Sequence, residues 1–273
     1  MRELIRDAKT IVIKVGTTSL THENGTLDLR KLEMLAQVLT DLENSGKRIV
    51  LVSSGAIGCG MVRLGFTKRP TTLKGKQTAA SVGQGLLMGI YHKFFDEYHQ
   101  NIGQILLTKD VFNHEIKADN AKNTLLALMN RKIIPIVNEN DCIATDEIQE
   151  ESFGDNDILS AMTAEMVNAE LLIILSDVDG FYDSNPIVNK HAKRIKIVKY
   201  IDENVCKLAG ESHSKFGTGG MSTKISAARY ATDLGIHTII ASGDNIKNLY
   251  HILDSEDIGT FFVGKIKGES IKC

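Results

Sequence analysis

Short runs of apolar, mostly β-branched residues alternate along this chain with longer stretches whose apolar positions recur every three or four residues. The runs predict strands at 10–15, 48–53, 102–108, 133–137, 171–176, 195–198, 237–241 and 260–263. The longer stretches predict helices at 29–44, 78–98, 118–130, 157–168, 202–208, 222–234 and 245–253. Several runs, such as LLIIL at 171–175, are apolar at consecutive positions. Strands of that kind are buried on both faces, as in a parallel sheet covered by helices. The alternation therefore predicts an α/β fold with helices on both sides of the sheet.

One segment breaks the rhythm. Residues 141–153 mix polar and apolar positions and carry five carboxylates just after a strand. A small hairpin over the carboxyl edge of the sheet is expected there. There is no internal repeat and no low-complexity linker, so residues 1–264 are expected to form one domain and 265–273 a polar tail.

Composition narrows the function classes. The chain has 273 residues, 42% apolar and 24% charged, with 32 Lys and Arg against 34 Asp and Glu. A net charge of −2 lacks the basic excess of a nucleic-acid or membrane-surface protein. The four cysteines, Cys59, Cys142, Cys206 and Cys273, stand singly, with no CxxC pair and no histidine at ligand spacing. Reduced thiols are expected, rather than a structural zinc site or a redox dithiol. The polar start, and the lack of any apolar run near the ~18 residues of a membrane span, predict a soluble cytoplasmic protein.

In an open parallel sheet, ligands bind beyond the carboxyl ends of the strands, often at helix N-termini. What each strand runs into is therefore informative. The first runs into Lys14, Val15, Gly16 and three hydroxyl residues. A lysine in a buried strand must pair its ammonium or send it out at the strand end, and Gly16 lets the backbone approach an anion. A snorkelling lysine beside an ordinary turn explains the same residues. The second strand ends in SSGAIG (53–58), a small-residue turn that opens a helical region and is either an anion cradle or a tight turn capped by serine. The fourth runs into Asn138, Glu139, Asn140 and Asp141, which suit the ammonium of an amino acid or a solvated loop.

GDND (154–157) precedes an apolar helix and supplies more polar residues than an N-cap requires. The fifth strand ends in Ser176 and Asp177. GTGGMSTK (217–224) opens a helix with three glycines, hydroxyls and Lys224, a set suited to polyphosphate. No Walker A loop, no GxGxxG after the first strand, no HExxH and no GxSxG occurs.

Taken in order, IVIKVGTTSL (11–20), SSGAIGCG (53–60), IVNENDCIAT (136–145), GDNDILSA (154–161), LSDVDGFY (175–182) and GTGGMSTK (217–224) resemble the amino-acid kinase family, and within it the glutamate 5-kinases. The resemblance spans about 10–263. It implies an αβα sandwich around a mainly parallel, eight-stranded open sheet. It also implies transfer of phosphate from ATP, carrying Mg2+, to the γ-carboxylate of L-glutamate, the first step of proline synthesis.

By motif position, Lys14, Lys224 and Asp157 would be catalytic, with Asp157 orienting both lysines. Ser54, Gly55, Asp141 and Asn156 would hold glutamate. Lys14, Gly16, Ser176, Asp177, Thr218, Gly219, Gly220, Met221, Ser222, Thr223 and Lys224 would hold the nucleotide. No protein metal site is implied, since the metal travels with ATP. Position 176 is often threonine in such proteins, a conservative departure. The chain is expected to lack the RNA-modification-type (PUA) module that many relatives carry after the kinase domain. A homo-oligomer, functional coupling to a glutamyl phosphate reductase and feedback by proline are further implications.

A carboxylate nucleophile has a free pKa of ~4.3 and is already ionised at neutral pH, which fits the lack of a general-base constellation. Other readings remain open: a kinase of acetylglutamate, aspartate, carbamate or UMP, or a nucleotide- or amino-acid-sensing protein without turnover. Asp141, available for a free α-ammonium, argues against an acetylated substrate, and the start KVGTT differs from the KFGGT of aspartate kinases.

Overall fold

The computed structural model describes residues 1–22, 25–143, 156–210 and 220–265. The elements run α1 (Glu3–Arg6), β1 (Thr10–Val15), α2 (Thr17–Leu20), α3 (Leu29–Asn44), β2 (Arg48–Ser53), α4 (Ala56–Leu64), α5 (Leu73–Asp96), β3 (Ile102–Leu107), α6 (Lys109–Asn113) and α7 (Glu115–Asn130). They continue with β4 (Ile134–Glu139), α8 (Asn156–Met166), β5 (Leu171–Ser176), β6 (Ile197–Val198), α9 (Glu203–Gly210), α10 (Met221–Asp233), β7 (His237–Ser242), α11 (Asn248–Leu253) and β8 (Thr260–Phe262).

The strands form one sheet in the order β3-β4-β2-β1-β5-β7-β8-β6. Every pairing is parallel except β7 with β8. The predicted α/β architecture is the one observed. The expected hairpin falls mostly on residues outside those described, as do Gly154, Asp155, Thr218, Gly219, Cys273 and nearly all of the polar tail. Cys59 is buried, Cys142 and Cys206 are partly buried, and all three are free thiols. No described helix is long and apolar enough to cross a membrane.

The two faces of the sheet carry separate apolar layers, because successive residues of a strand point to opposite sides. From β1, Ile11, Ile13 and Val15 join α3, α5 and α11, including Leu35, Leu39, Tyr91, Phe95 and Leu249. Val12 points the other way, toward Leu125 of α7, Ala161 and Ala164 of α8, and Ala227 and Ala228 of α10. Lys14 shares the parity of Val12, so β1 aims its lysine at the side covered by α8 and α10.

The short helices α1, α2 and α6 are not signalled by periodicity, and α4 is announced only as a helical region after the SSG turn. Gly58 and Gly60 each cost roughly 1 kcal/mol of helix propensity, so α4 depends on packing. A Cβ on Gly60 would fall 1.8 Å from the Ala79 carbonyl oxygen, and one on Gly83 would fall 1.7 Å from that of Ala56. α4 and α5 therefore cross with their backbones in direct contact. α5 begins at Leu73 rather than 78, because the Thr72 hydroxyl accepts a hydrogen bond from the Gly75 amide and caps it.

Candidate active site

β1 delivers Lys14 into the interior beneath α8, where the side chain is almost wholly buried. Its ammonium lies 2.5 Å from Oδ1 of Asp157, which sits in the first turn of α8 and is fully buried. Lys224, from the first turn of α10, reaches Oδ2 of the same carboxylate at 3.2 Å. The Thr223 hydroxyl is also 3.2 Å from Oδ2. Burial alone would push the Asp157 carboxyl up, but Lys14 and Lys224 together hold it below the usual carboxylate range. Among the described residues two ammoniums share this one buried carboxylate, an arrangement that favours an incoming anion.

Gly55 links β2 to this cluster. Its φ of +110° at the N-cap of α4 is a conformation that glycine adopts without strain. The chain thereby turns sharply after Ser54 and sends the first turn of α4 across the strand ends. Asn156, next to Asp157, donates through Nδ2 to Ser54 Oγ at 2.7 Å and to Asn138 Oδ1 at 2.9 Å. Asn138 in turn donates to Gln84 Oε1 at 2.9 Å. This chain of amides couples α8, β2, β4 and α5, so the serine and both asparagines share one fixed geometry.

Next to the network lies a cavity of about 110 Å³ lined by Thr17, Ser54, Gly55, Ala56, Ile57, Gly58, Met61, Arg69, Asn138, Glu139, Asp141 and Asn156. All four residues expected to hold the acceptor, Ser54, Gly55, Asp141 and Asn156, meet in it. Burial first, and then the charge of Asp141, raises the Glu139 carboxyl to about 7. Burial likewise raises Asp141 to about 6, against the opposing pull of Arg69 and Lys76. Two such carboxyls in a cleft suit a cationic ligand group, whose charge would draw both into the ionised state.

The described residues among those expected at the nucleotide lie on α10, at the end of β5 and just after β1. Gly220 caps α10, whose first turn carries Met221, Ser222, Thr223 and Lys224. Ser176 ends β5 and its hydroxyl donates to Asp177 Oδ1 at 2.8 Å. Gly16 follows β1 at the start of α2, but its own amide points at the Leu175 carbonyl at 3.4 Å, so it joins β1 to β5 rather than offering a free donor. A Cβ added at Gly16 would stand 3.6 Å from the Lys14 ammonium. β1 and β5 flank the point where the strand order reverses, the usual place for a ligand in an open α/β sheet.

Among the described residues, no three His, Cys, Asp or Glu side chains converge on a point that would hold a metal. The donors present, lysines, hydroxyls and amides, fit the phosphates of a nucleotide that brings its own Mg2+. Nothing in the sequence singles out Met61 and Arg69 as lining residues, and Thr17, Ala56, Ile57 and Gly58 stand out only as parts of strand-end turns. Asn138 and Glu139 stand out only as part of a polar cluster.

Comparison with known proteins identifies relatives of this chain and of its fold. The model of the amino acid kinase family matches residues 9–242. The glutamate 5-kinase of Clostridium perfringens (strain 13 / Type A) is 52% identical over 270 residues, covering 98% of this chain and all of that one. The glutamate 5-kinase of Listeria monocytogenes serotype 4b (strain CLIP80459) is 50% identical over 97% of this chain and 96% of its own. Among solved structures, carbamate kinase from Giardia lamblia bound to AMP-PNP superposes with a TM-score of 0.65 at 15% identity, over 94% of this chain and 99% of that one. UMP kinase from Bacillus anthracis gives 0.62 at 14% identity, over 95% and 97%. A family model that matches most of the chain, and relatives at about half identity over nearly all of it, show that this chain belongs to the amino acid kinase family.

Proposed function

We propose that this enzyme transfers the γ-phosphoryl group of MgATP to the γ-carboxylate of free L-glutamate, giving γ-glutamyl phosphate and ADP, the first step of proline biosynthesis. The observation that carries the reading is the Lys14–Asp157–Lys224 bridge, set beside a cavity lined by Asp141 and Asn156. The relatives at about half identity bear the same activity in their names.

The γ-carboxylate attacks phosphorus, a new O–P bond forms, and the bond to the β-phosphate oxygen breaks as ADP leaves. The nucleophile is ionised already, so no side chain has to remove a proton. What remains is to bring two anions together in line, a task of positioning and charge stabilisation. Lys14 and Lys224 neutralise charge on the moving phosphoryl group, and Asp157 holds both ammoniums in register. Asn156 and Ser54 orient the acceptor. Asp141 holds its ammonium. Ser176, Asp177 and the segment around Thr218–Lys224 hold the nucleotide. The acyl phosphate product hydrolyses readily, which favours transfer to a glutamyl phosphate reductase, and the enzyme works in the cytoplasm as a homo-oligomer.

The test is glutamate-dependent ADP release, with hydroxylamine trapping the acyl phosphate as the hydroxamate. ADP release with acetylglutamate, aspartate, carbamate or UMP, but not with glutamate, would replace this substrate with another. Nucleotide binding without turnover on any of them would make the chain a sensor.

A further inference from the structure

Two different sets of groups line the cavity. Ser54 and Asn156 join it to the buried lysine cluster. Asp141, after β4, and Arg69, in the loop between α4 and α5, supply charges of opposite sign. Among the described lining residues Arg69 is the one cation. Its side chain is exposed, and among the described residues it makes no hydrogen bond or ion pair. Its charge still reaches Asp141, whose carboxyl it draws down against the effect of burial.

A free α-amino acid carries an ammonium and a carboxylate on one carbon. A subsite made of carboxylates alone would attract the first and repel the second. Lys14 and Lys224 cannot relieve that repulsion, because both are held on Asp157, where phosphoryl transfer takes place. Arg69 is placed to do so, and a guanidinium meets a carboxylate through two parallel N–H donors.

We propose that Arg69 binds the α-carboxylate of the amino-acid substrate, pairing with Asp141 on the α-ammonium to form a two-point clamp for a free α-amino acid. This rests on the reading of L-glutamate as the acceptor. The clamp fixes one end of the substrate, and the γ-carboxylate extends toward Ser54, Asn156 and the lysines. Because Arg69 touches no reacting atom, it governs affinity and selectivity rather than the chemical step.

The experiment starts with wild-type turnover of glutamate, so that failure of the underlying reading shows before any variant is made. R69A, R69Q and R69K are then compared for kcat and for the KM of glutamate and of ATP. The clamp predicts that R69A and R69Q raise the glutamate KM about tenfold or more, an amount typical of a lost charge-assisted contact. It predicts kcat and ATP KM within about twofold of wild type and a partial rescue in R69K. The α-amide of L-glutamate, read as substrate or as competitor, should bind wild type and R69A equally, since it lacks the charge that Arg69 recognises. An unchanged glutamate KM in R69A overturns the proposal. So does an equal loss for glutamate and its α-amide, which would make Arg69 a support for the loop rather than a ligand.

Discussion

The Lys14 ammonium stands 2.5 Å from Asp157 Oδ1, with side-chain exposures of 6% and 0%. Removing both ions from water costs about what their attraction returns, so the pair positions charge more than it stabilises the fold. Lys224 on the second oxygen makes the arrangement asymmetric in its response to mutation.

Asp157→Ala leaves two ammoniums buried against each other. Stability should fall by about 3–5 kcal/mol, the range for stranding a buried charge, with kcat reduced at least ~10²-fold. Denaturant melts and steady-state rates check this, and an unchanged unfolding midpoint would contradict the cluster.

Lys224→Ala leaves a neutral Lys14–Asp157 pair, so that variant should fold. Its kcat should drop at least ~10²-fold if Lys224 contacts the transferring group as proposed. A folded K224A with near-normal kcat at saturating substrates would remove Lys224 from the chemistry.

Acid stability follows from the sign of the Asp157 shift. Its folded pKa is depressed, so its contribution is complete above the unfolded carboxylate value of ~3.9 and is lost as pH falls through the lower folded value. Thermal melts of wild type from pH 6 down to 2 should show this acid limb, and Asp157→Asn should flatten it.

Glutamate affinity should titrate in the opposite range. Asp141 and Glu139 are raised to about 6 and about 7, and an ammonium binds only their ionised forms. Binding therefore releases protons. The glutamate KM should be flat well above pH 7 and climb as pH falls below it, by up to ~tenfold per unit while Glu139 alone is protonated and toward ~100-fold per unit once Asp141 is protonated as well. Asp141→Asn should raise the glutamate KM and weaken that slope, with the ATP KM little changed. A raised ATP KM with glutamate unaffected would reverse the assignment of this cavity.

What the sequence made legible follows from burial. β1, β2, β5 and α3 have the expected limits because their apolar runs are continuous or strictly periodic. Lys14 and Lys224 stood out as charges beside glycine turns, and the structure brings them to one carboxylate from strands and helices far apart in the chain. Glycines hid α4, whose stability comes from α5 rather than from its own residues. Arg69 left no trace because TKRPTT (67–72) has no period and looks like any polar loop. Glu139 read as one of four polar neighbours, and of these Asn138, Glu139 and Asp141 line the cavity because β4 ends there and the chain turns, which no periodicity announces.

The α4–α5 crossing gives a prediction remote from the chemistry. Gly83→Ala places a methyl 1.7 Å from the Ala56 carbonyl oxygen, so α4 must move away. The expected cost is about 1–3 kcal/mol, typical of overpacking. Because Ala56 follows the Gly55 turn, the glutamate KM should rise along with the fall in Tm. A lower Tm with unaltered kinetics would show that the turn is held independently of α5.

β1 lies between β2 and β5, pairing with Arg48 to Ser53 on one side and with Leu171 to Leu175 on the other. During synthesis the first partner emerges soon after β1, but the second arrives only when more than half of the chain has left the ribosome. In that interval the apolar central strand has a bare hydrogen-bonding edge, an invitation to pair with other nascent chains. The strand that carries Lys14 is thus also the place where folding stays incomplete longest, and lowering the temperature or the rate of expression should favour soluble protein over aggregate.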